Sequence, residues 1–168
     1  MAHPELAAGA GVQLLAMRHG TAGWATADPE RALTEHGRAR VKQVAERLLS
    51  ELPAPPQRLF TSPYPRARET ASIAGTILGV AVEQLSELAA GESSPAALLA
   101  ALRALAPPAT RLMIVGHAPD LTDLVSELTG EPRSALGTAE VAQLEGQELE
   151  RGSMKLVRIW GAEPDGAH

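Results

Sequence analysis

Three short motifs hold the residues best suited to chemistry: Arg18-His19-Gly20, Ser62-Pro63-Tyr64-Pro65-Arg66-Ala67 and Gly116-His117-Ala118-Pro119. Between them they carry the pairs Arg18 and Arg66, and His19 and His117. An arginine presents a planar fork of donors that matches the oxygens of a phosphate and keeps its charge at any relevant pH. A neutral imidazole nitrogen can attack phosphorus and hold the phosphoryl group covalently. Positively charged donors around the equatorial oxygens would stabilise that transfer. Gly20 leaves space beside His19. A helix opening near Ser62 would aim its free backbone N–H groups at the same anion.

Other chemistries find less support. The chain has no cysteine, which excludes a disulfide framework, a thiolate nucleophile and thiolate-bound zinc. Its carboxylates are spread over helix surfaces and form no Asp/Glu/His cluster at ligand spacing, and no glycine loop ends in GK[ST]. The expectation is a reaction without metal or cofactor.

The motifs need elements to position them. The apolar run Val12 to Met17 reads as a buried strand that ends at Arg18-His19-Gly20. Thr34 is placed to cap a helix whose apolar face is Val41, Val44, Ala45, Leu48, Leu49 and Leu52, stopped by Pro53, Pro55 and Pro56. Arg58 to Thr61 is a short second strand. A helix opened by Ser62-Pro63 follows, with Ala67, Thr70, Ala71, Ala74, Ile77 and Leu78 inward and Gly79 at its end. Val80 to Val82 is a third strand, running toward Leu85-Ser86-Glu87-Leu88. Ser94-Pro95 begins a helix carrying Leu98, Leu102 and Leu105, stopped at Pro107-Pro108. Leu112 to Val115 is continuously apolar, as a central strand requires. His117 lies just past it, before a helix with Leu121, Leu124, Val125 and Leu128 that closes at Gly130. Val141 to Leu144 and Met154 to Trp160 alternate more and read as antiparallel strands around a turn near Gly146 to Gly152. Strands alternating with helices predict an α/β fold: three α/β/α layers, a mostly parallel sheet and an antiparallel C-terminal part. All three motifs then fall after strand C-termini, where such sheets hold ligands. With 168 residues the chain reads as a single domain, 1–168, large enough for a real core.

Composition narrows the partners. Hydrophobic residues make up 45% of the chain and its formal net charge is -5, so it should fold and should not be drawn to nucleic acid. Trp24, Phe60, Tyr64 and Trp160 are all its aromatics, too few for a base-stacking platform. The first twenty residues make a poor signal peptide and no apolar run reaches the roughly 20 residues of a membrane span. The expectation is a cytoplasmic protein with no membrane partner. The oligomeric state is not legible.

At its motifs the sequence resembles the histidine phosphatase superfamily. Met17-Arg18-His19-Gly20 is similar to that family's hallmark. Ala32-Leu33-Thr34-Glu35-His36-Gly37 resembles its "PLTxxG", with Ala32 where proline is usual. Ser62 to Thr70 resembles S-P-x-x-R-A-x-x-T. Val115-Gly116-His117-Ala118-Pro119-Asp120-Leu121 resembles the "VGHEPDL" of SixA-type phosphohistidine phosphatases. The resemblance implies a phosphoglycerate-mutase-like fold. It implies His19 as nucleophile, with Arg18, Arg66 and His117 holding the phosphoryl group and Glu87 protonating the leaving group. Mutase-type relatives have an Asn where this chain has Ala25, and long capping insertions for which it has no room. Trp24 matches the mutase pattern without that Asn, and Thr21 stands where SixA-type members often carry an acid. A short chain with an open site favours a phosphorylated protein over a small phosphorylated substrate.

Plainer readings stand beside these. A histidine at a strand end is usually structural, surface arginines commonly pair at little energetic gain, and an exposed carboxylate such as Glu87 or Glu92 is ordinary. His36, Arg38, Arg40 and Arg68 read as solvated helix faces, Trp160 as packing, and His3 and His168 as end residues without a role. Three functions compete: a phosphohistidine phosphatase acting on proteins, a small-molecule phosphomonoesterase for which Glu87 would be essential, and a non-catalytic phosphate- or phosphopeptide-binding module.

Overall fold

The apolar runs expected at 12–17 and 112–115 lie side by side at the centre of a six-stranded sheet. The structure is a computed structural model that describes residues 11–26 and 30–161. The strands are β1 (Val12–Arg18), β2 (Arg58–Thr61), β3 (Val82–Gln84), β4 (Arg111–Gly116), β5 (Val141–Gly146) and β6 (Met154–Trp160). Their order across the sheet is β3-β2-β4-β1-β5-β6. β3, β2, β4 and β1 run parallel, while β5 is antiparallel to β1 and β6 antiparallel to β5. The mixed sheet and its antiparallel C-terminal part match the expected class.

The inner strands are continuously apolar because both of their faces are covered. Leu14 and Ala16 of β1, Phe60 of β2, and Leu112 and Ile114 of β4 pack into one core. That core lies under α3 (Pro95–Leu105) and α4 (Ala118–Thr129). The alternate residues Leu15, Met17, Leu59, Met113 and Val115 point the other way, into the core under α1 (Glu35–Glu51) and α2 (Pro65–Leu78). Each core leucine of this kind contributes about 2 kcal/mol by leaving water.

The helix ends follow local chemistry. Thr34 caps α1 by accepting from Gly37 N at 2.9 Å. Ser94 caps α3 through Ala97 N. Gly79 and Gly130 close α2 and α4 in the left-handed conformation, each with φ 73°. Two boundaries differ from expectation. α2 begins at Pro65, with Tyr64 as its N-cap, because the Ser62 hydroxyl accepts from Tyr64 N and is engaged before the helix starts. The third strand is Val82–Gln84 rather than 80–82, since Val80 N is taken by Gly75 O at the end of α2. A single 3-10 turn, Ser86–Leu88, then carries Glu87.

Among the described residues no helix is long and apolar enough to cross a membrane. His3, His168 and the first half of the stretch read as a poor signal peptide lie outside the described residues.

Candidate active site

Adjacent parallel strands bring their motifs together. β1, β2 and β4 pair in register as far as Arg18 with Gly116 and Thr61 with Val115. The residues just beyond these pairs therefore share one edge of the sheet. His19 N donates to Gly116 O at 3.0 Å and Ser62 N to Val115 O at 3.0 Å, which carries the alignment past the strand ends. Arg18, His19, Arg66 and His117 all line a cavity of about 320 Å³ at this edge.

His19 is 7% exposed. Its Nδ1 lies 2.7 Å from Gly20 O, a carbonyl that can only accept, so Nδ1 carries the hydrogen. Nε2 is then the nitrogen with the lone pair, and Arg66 Nε donates to it at 3.2 Å. Burial lowers the imidazole from its ordinary value of 6.5 to about 4, against the raising effect of the Gly20 carbonyl. Arg66, Arg18 and Arg31 push it in the same downward direction as burial. The result is a neutral imidazole with a fixed tautomer and its lone pair turned toward a guanidinium.

Arg66, 4% exposed, sits in the first turn of α2. Its guanidinium lies over the Tyr64 ring, 5.1 Å from the centroid. His117, also 4% exposed, is the N-cap residue of α4. Its Nε2 is 2.8 Å from Ser62 Oγ, and its ring meets that of His19 edge-on with centroids 5.3 Å apart. Ala118 and Pro119 also line the cavity, so α4 as well as α2 turns its first residues toward it.

Arg18 is held by a different part of the chain. Its Nη1 donates to Leu136 O at 2.9 Å, while Nε is buried with no hydrogen-bond partner among the described residues. The turn before β5 folds over this strand end. Ala139 N donates to both Arg18 O and His19 O at 3.1 Å, and Arg18 N donates to Glu140 O at 3.0 Å. The Glu140 carboxylate accepts from Gly137 N at 2.7 Å and closes the turn. Ala139 has φ 63°, a left-handed conformation that costs an alanine about 1–2 kcal/mol. Burial and Arg31 lower the Arg18 guanidinium from its ordinary value, while Glu140 acts in the opposite direction.

Gly20 has a different use from the one expected. A Cβ there would come within 2.7 Å of Val41 Cγ2, so its missing side chain admits helix α1 rather than a ligand. Gly37 on α1 is tighter still: a Cβ there would lie 2.2 Å from Thr21 O. The two glycines let the helix back directly onto the loop after His19. Gly20 N donates to the buried Thr70 hydroxyl at 3.0 Å, which in turn donates to Arg66 O at 2.8 Å.

Two groups lie where sequence reasoning did not put them. Arg31 lines the cavity, anchored by Nε to Gly23 O at 2.9 Å; it belongs to an irregular loop and to no motif quoted from the sequence. Glu87 is not among the cavity's lining residues. Ala90 lines it from that segment, and the Glu87 carboxylate accepts from Ser86 Oγ at 3.3 Å. No carboxylate lines the cavity among the described residues, and no group of three or more His, Asp or Glu gathers there to hold a metal ion. Thr21 reaches the rim, its hydroxyl 3.2 Å from that of Thr138. His36, Arg38 and Arg68 are exposed. Trp160 is packed, with Nε1 donating to Gln143 Oε1 and Arg158 over its ring.

The chain is similar in sequence and fold to known proteins. The family model of the histidine phosphatase superfamily (branch 1) matches residues 14–92. The protein histidine phosphatase SixA, solved with tungstate, is 26% identical with a TM-score of 0.78, covering 89% of this chain and 97% of that one. A mycobacterial glucosyl-3-phosphoglycerate phosphatase has the same fold at 20% identity and a TM-score of 0.71, covering 91% of this chain and 100% of that one. An uncharacterised protein of a Picosynechococcus species is 41% identical over 95 residues, 56% of this chain. The match spans 57% of that relative's length.

Proposed function

We propose that this chain, which belongs to the histidine phosphatase superfamily, hydrolyses phosphoryl groups through a transient phosphohistidine on His19, with phosphohistidine in proteins as its preferred substrate. The observation that carries this reading is the fixed state of His19. Nδ1–H is committed to Gly20 O, the ring is neutral, and Nε2 accepts from Arg66 Nε in a cavity that Arg18, Arg31 and His117 also line.

The steps follow from that geometry. The incoming phosphoryl group draws Arg66 from Nε2 onto its own oxygens, which frees the lone pair. Nε2 attacks phosphorus, the bond from phosphorus to the leaving nitrogen breaks, and the leaving imidazole keeps the electron pair and takes a proton from solvent water. Arg18, Arg66 and His117 stabilise the charge spread over the equatorial oxygens. Water then attacks the phosphohistidine, releases inorganic phosphate and returns His19 to its neutral form.

Substrate preference is argued from the leaving group. An alkoxide leaving group needs a strong acid beside it, and among the described residues no carboxylate lines the cavity. Imidazole departs far more readily, which favours a P–N bond over an ester. The similarity to SixA, named as a protein histidine phosphatase, supports the same choice. The test compares a phosphohistidine protein with a panel of phosphate esters, in EDTA, for wild type and His19→Ala. Loss of phosphohistidine in the wild type alone is expected. Activity confined to esters would move the substrate to small metabolites, and activity that survives His19→Ala would overturn the nucleophile.

A further inference from the structure

Trp24 is 88% exposed. A single exposed apolar side chain needs no explanation by itself; this one is set apart by its place and its support. The residues just before it are paired with 31–34. Gly23 N donates to Ala32 O at 2.8 Å, Thr34 N to Thr21 O at 2.9 Å, and Arg31 Nε to Gly23 O at 2.9 Å. Ala22 and Leu33 add an antiparallel bridge. A large flat ring is thus carried into solvent next to a hydrogen-bonded residue, Gly23, which lowers the cost of ordering it when something packs on it.

The ring stands on a surface that adjoins the candidate active site. Trp24, Ala25 and Gly23 line a second recess of about 440 Å³ together with Ala22 and Arg31. Ala22 and Arg31 also line the His19 cavity, so the two spaces share a wall. A phosphoryl group seated against His19 leaves its carrier outside, and the recess is a neighbouring surface for that carrier to meet.

The shape of this ground selects the carrier. A small metabolite binds with most of its surface enclosed. A ligand over Trp24 would be covered on one face only, as in a contact between two protein surfaces with an aromatic anchor. We propose that Trp24 is a specificity-determining platform on which the polypeptide around the phosphorylated side chain docks. This rests on the reading of His19 as the nucleophile for phosphoprotein substrates.

The test measures kcat/KM on two P–N substrates, a phosphohistidine-bearing protein and phosphoramidate, which has no carrier to dock. Wild type, Trp24→Ala, Trp24→Phe and His19→Ala are compared. For Trp24→Ala the ratio of the protein value to the phosphoramidate value falls about tenfold to thirtyfold, the range of an interfacial tryptophan anchor. The loss lies in KM, and Trp24→Phe recovers most of it. The chain's other tryptophan, Trp160, is 3% exposed, so a blue shift of tryptophan emission when the phosphoprotein is added to His19→Ala reports on Trp24. A ratio within twofold of wild type, or no shift, overturns the platform. Wild type that cleaves phosphoramidate but not the phosphoprotein overturns it too, while leaving His19 as nucleophile. Phosphoramidate hydrolysis that survives His19→Ala overturns the underlying reading instead.

Discussion

The parallel and antiparallel halves of the sheet serve the candidate site in unlike ways. β1, β2 and β4 end in Arg18-His19, Ser62 to Arg66 and His117, and the groups proposed to react lie within a residue or a helical turn of those ends. The antiparallel half adds none of these. Its contribution is the turn 136–140 that leads into β5, which grips the backbone of Arg18 and His19 and one edge of the Arg18 guanidinium. The contrast is one of delivery against restraint. A strand end is a fixed point that can present a side chain cheaply, whereas a turn with a left-handed alanine is a shape the rest of the fold must maintain.

Variants in the parallel half should therefore cost far more activity than variants in the turn. The largest loss is expected for His19→Ala, at least about 10³-fold in kcat, together with the disappearance of acid-labile phosphate from enzyme quenched in turnover. Arg66→Ala follows, with a loss of about 10²–10³-fold, and Arg66→Lys should recover little because a point charge cannot replace the fork. An Arg66→Lys enzyme with nearly full turnover would break the comparison at its centre.

Two further predictions concern the ground on which the groups stand. His19 resists protonation in the folded chain down to about pH 4, while an unfolded histidine takes its proton near 6.5. Its contribution to stability, about 3 kcal/mol, is therefore complete above pH 6.5 and is lost as pH falls toward 4. Denaturant titrations between pH 7 and 4 should show a steeper decline for wild type than for His19→Gln, and an NMR titration of the His19 ring should have its midpoint well below 6.5. Gly37→Ala should lower stability by about 1–3 kcal/mol and reduce activity with it, because the added methyl meets Thr21 O. Thermal melts and kcat measured together would check this.

The smallest effect is expected in the turn. Glu140→Gln keeps an acceptor for Gly137 N but removes the charge that favours the Arg18 cation. A rise of a few-fold in KM with kcat nearly unchanged is expected, and the effect should vanish in an Arg18→Ala background, since it acts through that residue. An equal effect in both backgrounds would show that the turn acts elsewhere.

Much of this was legible in the chain. The inner strands could be read because burial on both faces leaves an unbroken apolar run. The three motifs could be read because each lies within a few residues of a strand end. What escaped the reading came from how loops fold back and which residues they turn inward. Arg31 reaches the cavity only because its loop is bridged to 22–23. Ser62 turns out to hold His117, 55 residues away. Glu87 was placed by resemblance; it lies on the 3-10 turn 86–88, and the residue of this segment that lines the cavity is Ala90, just past that turn.

The sequence by itself determined the layered α/β class, the elements and the set Arg18, His19, Arg66 and His117, because those properties depend on local periodicity and on motifs short enough to read in one pass. Only the tertiary structure decided which nitrogen of His19 is free, what restrains Arg18 and how exposed Trp24 is. Each of these depends on how side chains are set in the folded chain, whether the partner is a neighbour, as Gly20 O is for His19, or distant, as Leu136 O is for Arg18, and a hydrogen bond's direction or a side chain's burial exists only once those partners have met.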